Sequence, residues 1–258
     1  MKWNKLEARF YGKKWDIIHG GYFSDPAKSK YFVGMITAAC KKEKPDAVVD
    51  LGSGSGFILN EISKRRLGCA PRFIGVDSSE KQLEVCKSRG MGCINASAEK
   101  FKRSMAVKKN EKLMLIMRSV LHYMKAKDQP KFFEHLRGQM KKGERFIHQT
   151  ACFEGRNEVA AMNRCYKLMR TTKTYFTPQD LKKMMAKAGF RTIRCKKTCS
   201  VRVESEDLAM RYGLDSDDIK KIIDKVSAMP GGKDIIKRVG DGSFIMNFKY
   251  YIFECVAK

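Results

Sequence analysis

The sequence is short of acid, short of long apolar runs and free of repeats, and each shortage excludes something. Only 28 aspartates and glutamates stand against 53 lysines and arginines, which leaves a formal charge of +25. Such an excess attracts polyanions or acidic metabolites, or serves a lysine-rich solvated surface, and alone it names no partner. No uninterrupted apolar run approaches a membrane span, and the first ten residues hold no apolar core of signal-peptide length, so no membrane partner is expected. Internal repeats and low-complexity linkers are also lacking. Nine cysteines, an odd number without a compact framework, exclude a disulfide scaffold and suggest reduced thiols in a cytoplasmic protein. The closest pair, Cys195 and Cys199, lacks a second pair or a histidine at ligand spacing, so no metal site is expected.

What is present is enough apolar residue, 43% of 258, to build the core of one large domain or one domain with an insertion. The chain is organised around Asp46-Ala-Val-Val-Asp-Leu-Gly-Ser-Gly-Ser-Gly56. Ala47 to Leu51 are too few for a helix and include two β-branched residues, so they predict a buried parallel strand with Asp50 at its carboxyl end. Gly52, Gly54 and Gly56 then permit a tight turn and close backbone approach to a ligand, before Phe57 begins a helix. The dinucleotide fingerprint G-x-G-x-x-G fails for want of its third glycine, and the P-loop fails because no lysine follows Gly56. What stands is Asp50-x-Gly52-Ser53-Gly54-x-Gly56. It resembles the cofactor loop of class I S-adenosylmethionine-dependent methyltransferases.

Further motifs follow in order. Pro71-Arg-Phe-Ile-Gly-Val-Asp77 is a second short strand ending in an acid, 27 positions beyond Asp50, the separation of one βαβ unit. The carboxylate of Asp77 suits two ribose hydroxyls, and it equally suits capping the helix that Ser78-Ser79-Glu80 opens. Met91 to Asn95 predict a third strand, followed by Ala96, Ser97 and Ala98. Lys112 to Met117 predict a fourth, with Arg118-Ser119-Val-Leu-His122-Tyr123 leaving its carboxyl end, where ligands of open α/β sheets sit. That turn resembles those of methyltransferases acting on small metabolites, and it lacks the Asn/Asp-Pro-Pro-Tyr/Phe motif of enzymes that methylate base or glutamine amines. Arg145 to Cys152 predict a fifth strand, on which His148 reads as a satisfied core histidine, whereas His135 reads as a helix-surface residue. Met162, Cys165, Tyr166 and Met169 form an apolar stripe on the helix Glu154 to Arg170, either core or pocket wall. Thr177-Pro-Gln-Asp-Leu begins another helix, which ends at Gly189.

The resemblance implies an α/β fold: a seven-stranded, mostly parallel sheet with an antiparallel last strand and helices on both faces. As one domain, the chain would divide into an N-terminal lid (1–45), a core (46–203), a helical insertion (204–240) and the last strand (241–258). The resemblance also implies S-adenosyl-L-methionine as cofactor. Asp50 and the Gly52–Gly56 backbone would hold its methionine end, Asp77 with Ser78 its ribose and Ser97-Ala98 its adenine, while Arg118 borders cofactor and substrate. Ser97 stands where an acid is usual in the family and brings no charge. Tyr11, Trp15, Ser119 and Tyr123 are candidates for the substrate pocket. The leading aromatics either pack onto the sheet or, as a segment, cover the cofactor. His122 is the candidate general base if a proton must leave the acceptor, and otherwise is structural.

Two acceptors are compatible with this. A small molecule is expected from the Arg118–Met124 turn. RNA, including tRNA, is the alternative, motivated by the stretch 164–197, in which Asp180 is the only acid among many lysines and arginines. A non-enzymatic cofactor-binding protein on the same fold is the third reading.

Overall fold

A computed structural model describes residues 21–240 and 242–258. The calls for Tyr11 and Trp15, and for the leading half of the lid, lie outside the described residues. Asp25 caps the first described helix, α1 (Pro26–Glu43), by accepting from Ala27 N at 2.8 Å, with proline at the first position. The central strands β1 (Ala47–Leu51), β4 (Leu113–Arg118) and β5 (Arg145–Ala151) are buried at every residue. Such strands must be covered on both faces, which explains their unbroken apolar runs. Between them come α2 (Phe57–Ser63), β2 (Arg72–Asp77), α3 (Glu80–Ser88) and β3 (Gly92–Asn95), and α4 (Gln129–Gly138) precedes β5.

Side chains alternate between the two faces. Val48, Met114, Ile116 and Ile147 pack with Phe32, Ile36 and Cys40 of α1 and with Ile58 and Ile62 of α2. Ala47, Val49, Leu113 and Leu115 pack on the other face with Phe132, Phe133 and Leu136 of α4. The helix of the supposed lid is therefore a layer of the sheet's own core, because its apolar face is buried against the strands. His148 is fully buried between the rings of Phe146 and Phe253, at 5.1 and 4.8 Å, and burial lowers its pKa to about 3. His135 is not a free surface residue, since its Nε2 lies 2.8 Å from the Phe101 carbonyl oxygen.

After β5 come α5 (Arg156–Leu168), α6 (Pro178–Lys187), β6 (Phe190–Glu204), α7 (Ser205–Tyr212), α8 (Ser216–Ser227), a short α9 (Gly232–Ile235), β7 (Ile236–Val239) and β8 (Ser243–Ala257). The sheet order is β3-β2-β1-β4-β5-β8-β6, with β8 antiparallel to its neighbours. Seven strands lie on one path with the last strand antiparallel, as expected, and an eighth, β7, pairs with β8 off that path. The insertion 204–240 is thus not wholly helical: Ile236-Lys-Arg-Val239 is too short to declare itself, and its pairing with Ser243–Met246 makes it a strand.

The strands β6 and β8, 15 residues each, outrun the sheet. The strand β5 meets β8 only from Tyr250 to Val256, whereas Ile245 to Lys249 continue to pair with β6. That extension supports a second core, in which Val201, Val203, Met246 and Phe248 meet Met162 and Tyr166 of α5 and Leu208 of α7. Helix α8 adds Ile219, Ile222, Ile223 and Val226 at helical spacing, each worth on the order of 1.5–3 kcal/mol in burial. All nine cysteines carry free thiols. No helix among the described residues is long and apolar enough to cross a membrane.

Candidate functional site

The strand order reverses between β1 and β4, and the carboxyl ends of β1, β2 and β4 open into one cleft. Its glycine turn is fastened before any ligand is considered. Gly52 N and Ser53 N donate to the Val76 carbonyl at 2.7 and 3.1 Å, and Gly54 N donates to Oδ2 of Asp77 at 2.9 Å. Two glycines here are required for different reasons. Gly52 has φ +74°, and a Cβ on it would stand 2.3 Å from Cγ2 of Val120. Gly56 (φ +74°) caps α2, and a Cβ there would stand 2.6 Å from Sγ of Cys86. Gly56 does not line the cleft, and its lack of a side chain lets Cys86 of α3 pack close.

The other expected contacts in the turn converge. Asp50, Gly52, Ser53, Gly54, Asp77, Ser78, Ser97, Ala98, Arg118, Ser119 and Tyr123 all line the cleft. Asp50 is 2% exposed, and its Oδ1 has no hydrogen-bond partner among the described residues. Burial pushes its pKa up to about 7, with Arg118 opposing and Asp77 adding to the rise. An orphaned, buried carboxylate oxygen calls for a donor, and an ammonium group on a ligand would supply one. The Oδ1 of Asp77 accepts from Ser79 N at 2.9 Å. The residue therefore organises the glycine turn and the start of α3 at once, and burial raises its pKa against those backbone donors. A carboxylate has about four acceptor positions, so two ribose hydroxyls can still be accommodated.

Arg118, buried at the end of β4, donates from Nη2 to the Tyr22 carbonyl at 2.8 Å and from Nε to Oε1 of Gln149 at 3.1 Å. Its guanidinium lies 4.1 Å over the Tyr22 ring. Ser119 follows with φ +60°, a strained conformation for a residue with a side chain, held by Ser119 N donating to the Gln149 carbonyl at 2.8 Å. Strain of this kind costs on the order of 1–3 kcal/mol and is typical of sites where direction matters more than ease.

His122 is not in this cleft. It sits in a second, smaller cavity of about 20 Å³, which shares Phe23 and Tyr123 with the first. Its buried ring stacks at 5.5 Å on Tyr175 and lies 4.4 Å from that of Tyr123. Tyr166, Phe248 and Tyr250 add aromatic wall, and Lys173 and Arg211 add two buried cations. Of the stripe on α5, Tyr166 is pocket wall and the rest is core. The sequence gives no signal for Lys173, Arg211, Phe248 or Tyr250, since they come from three separate parts of the chain: the segment between α5 and α6, α7 and β8. Tyr22 and Phe23 are two of the leading aromatics, with nothing in the sequence to set them apart from the others.

The basic stretch 164–197 is not one surface. Arg164 and Lys167 lie on α5 against the second core, Lys182, Lys183 and Lys187 on α6 against the first, and Lys173 is inside the cavity. The acidic stretch 204–218 is spent locally: Asp215 caps α8, and Asp218 takes both oxygens to Nη2 of Arg170 at 2.8 and 2.9 Å.

A family model described as "Methyltransferase domain" matches residues 29–194, well over half the chain. Among solved structures, YcgJ of Bacillus subtilis superposes with TM-score 0.67 at 16% identity, covering 89% of this chain and 99% of its own. The magnesium protoporphyrin IX methyltransferase of Synechocystis PCC 6803, with bound S-adenosylhomocysteine, gives 0.53 at 13%, covering 89% and 83%. Geranyl diphosphate methyltransferase in complex with S-adenosylmethionine gives 0.56 at 15%, covering 98% and 90%. At these identities the likeness is one of fold. No curated protein matches.

Proposed function

The chain belongs to the methyltransferase-domain family, an S-adenosylmethionine-dependent enzyme of the class I fold, and we propose that it methylates a small molecule held in the cavity behind Tyr123. The observation that carries this is the shared wall: Phe23 and Tyr123 face both the cleft of the glycine turn and the aromatic cavity beyond it.

S-adenosylmethionine, when bound, supplies a methyl group on a positively charged sulfur that leaves as a neutral thioether. The residues fit that group. Asp50 offers the orphaned carboxylate oxygen to the ammonium of the methionine end, beside the backbone of Gly52, Ser53 and Gly54. Asp77, with Ser78 next to it, takes the ribose, and Ser97 and Ala98 border the adenine. Arg118 and Ser119 hold the end of β4 against Gln149 and so fix the direction in which Tyr123 and the acceptor approach. Alignment and exclusion of water are the protein's main contributions to such a displacement. Were the acceptor to release a proton on methylation, His122, whose imidazole lines the cavity, would be the group to take it.

A second reading has its own observation. A groove between α1 and β6 carries Tyr31, 55% exposed, with Nζ of Lys196 4.7 Å from its ring and Lys30, Arg65 and Arg194 beside it. An exposed ring among cations suits a base and its phosphates, so RNA is the alternative acceptor.

Purified protein, methyl-labelled S-adenosylmethionine and a cell extract split into RNA, protein and small-molecule fractions decide between them. Label in the small-molecule fraction is expected. Label in RNA, with affinity that collapses as salt is raised, would replace this reading by the second.

A further inference from the structure

We propose that the groove between α1 and the edge strand β6 docks an acidic amphipathic helix of a partner protein. This surface lies apart from the cofactor cleft and does not rest on the methyl-transfer reading.

The groove holds about 690 Å³ and is lined by α1 from Pro26 to Ala38, by Arg65, and by Arg194 and Lys196 of β6. A smaller continuation shares Met35, Ala38 and Arg194 with it and reaches Lys42 and Ile193. Strand β6 ends the sheet. Its Lys196 stands opposite Ile252 of β8, which belongs to the core beneath α1, so Lys196 and Arg194 point to the face that α1 covers.

Two features of α1 do not suit a helix that faces only water. Its inner face, with Phe32, Ile36, Ala39 and Cys40, is buried against the sheet, as an amphipathic helix requires. Its outer face nevertheless carries Ala27, Tyr31, Gly34 and Ala38, all exposed and spaced four, three and four residues apart. That is the spacing of a seam along which a second helix packs. Gly34 is the other feature. Glycine inside a helix is unfavourable relative to alanine, and a Cβ here would meet nothing within 4 Å. The chain's own packing does not demand it, whereas close approach of another backbone does. Of the five large apolar side chains exposed among the described residues, Tyr31 (55%) and Ile193 (39%) flank this groove.

Charge selects the occupant. Lys30, Arg65, Arg194 and Lys196 rim the groove, and among the described residues no acid lines its main part. Glu254, in the continuation, is shared between Arg145 Nη1 at 3.5 Å and Arg194 Nε at 3.7 Å. An apolar floor with a cationic rim complements a helix whose apolar stripe is flanked by aspartate and glutamate. A second copy of this chain would bring its own +25 to the contact. The leading residues 1–20 hold Lys2, Lys5, Arg9, Lys13 and Lys14 against Glu7 and Asp16, so they match the rim no better. RNA would meet the cations but find little to read on the floor. The Thr37 hydroxyl already donates to the Val33 carbonyl at 2.8 Å, and Lys196 Nζ stands 4.7 Å from the centre of the Tyr31 ring. Lysines on an edge strand also deter strand pairing, yet that needs charge alone and leaves the open face of α1 unexplained.

The test displays a library of helix-forming peptides of about 16 residues, close to the length of α1, to the immobilised full chain. Enriched peptides are expected to carry apolar residues at three- and four-residue spacing, with aspartate or glutamate on both flanks. The leading peptide is then synthesised and titrated by fluorescence anisotropy. Gly34→Leu, which fills the floor, should weaken it at least about tenfold, and so should Lys30→Glu combined with Lys196→Glu. All three positions are exposed, and both variants should keep the wild-type circular dichroism, so a lost peptide is not a lost fold. No enriched peptide, or peptides neutral or basic on their flanks, would overturn the proposal, as would binding that both variants leave unchanged. An oligouridylate that binds more tightly than the leading peptide, and is lost with the same substitutions, would give the groove to RNA instead.

Discussion

The two cavities that meet at Phe23 and Tyr123 are built in opposite ways. The cleft of the glycine turn is assembled from short consecutive spans at the ends of β1, β2 and β4, each fixed by backbone hydrogen bonds to its neighbour. The aromatic cavity draws one or two residues each from the β4 turn, α5, α7, β6 and β8, and its polar groups Lys173, Tyr212, Arg211 and Tyr123 meet through side-chain contacts. A site made of backbone tolerates little change in its own residues but borrows little from elsewhere. A site made of distant side chains can be rebuilt one position at a time, which suits the half of an enzyme that must vary with its substrate.

The largest effect should come from breaking the backbone-built side. Gly52→Ala forces a side chain into a left-handed conformation and against Val120, at 2.3 Å from Cγ2. The two costs together come to about 3 kcal/mol of stability, read by urea unfolding. Gly54→Ala is the control. Its φ is +53°, but the nearest atom to its Cβ, in Gln82, is 3.9 Å away, so only the conformational part remains, about 1 kcal/mol. Equal losses at both positions would show that the contact with Val120 is not what demands glycine.

On the side-chain-built side, His122→Asn should lower turnover about a hundredfold, the usual worth of a positioned base, and leave cofactor affinity unchanged. A variant with wild-type turnover across the pH range would make His122 a structural ring stacked on Tyr175. Between these lies Asp77→Ala, expected to weaken S-adenosylhomocysteine binding at least about tenfold through the lost ribose contacts and the loosened Gly54 turn. Calorimetry showing unchanged affinity would take Asp77 out of the site.

The same contrast explains what could be foreseen. The first five strands along the chain, the caps Ser79 and Thr177, and the glycine turn are local in sequence, so short apolar runs and capping chemistry revealed them. The strand β7 escaped because four residues of mixed polarity carry no period of their own. Lys173 and Arg211 escaped because a lysine in a basic stretch and an arginine in an amphipathic helix look like solvated charge until distant aromatic residues close around them. His122 was identified, but in the wrong chamber: position after β4 fixes its chain neighbourhood, whereas the side of Tyr123 on which its ring falls depends on Tyr175, fifty-three residues on.

The smallest effect asks which cavity carries an electrostatic cost. Asp50 ionises near pH 7 in the fold against an ordinary 3.8. Below about pH 4 it is protonated in both folded and unfolded chains, and no cost is felt. As pH rises from there to about 7, the unfolded chain gives up this proton while the fold retains it, so stability is lost through that window and levels off above it. Three pKa units would amount to about 4 kcal/mol, and water entering the open cleft should leave about 1 kcal/mol. Asp50→Asn cannot titrate, so relative to the wild type it should gain about 1 kcal/mol between pH 4.5 and pH 8 in urea unfolding without ligand. It should also bind S-adenosylhomocysteine more weakly, having lost the carboxylate that faces the ammonium. Parallel stability curves for the two proteins would place the cost outside the cleft. A gain in stability without a loss of affinity would mean that Asp50 is buried there for a reason other than the cofactor's charge.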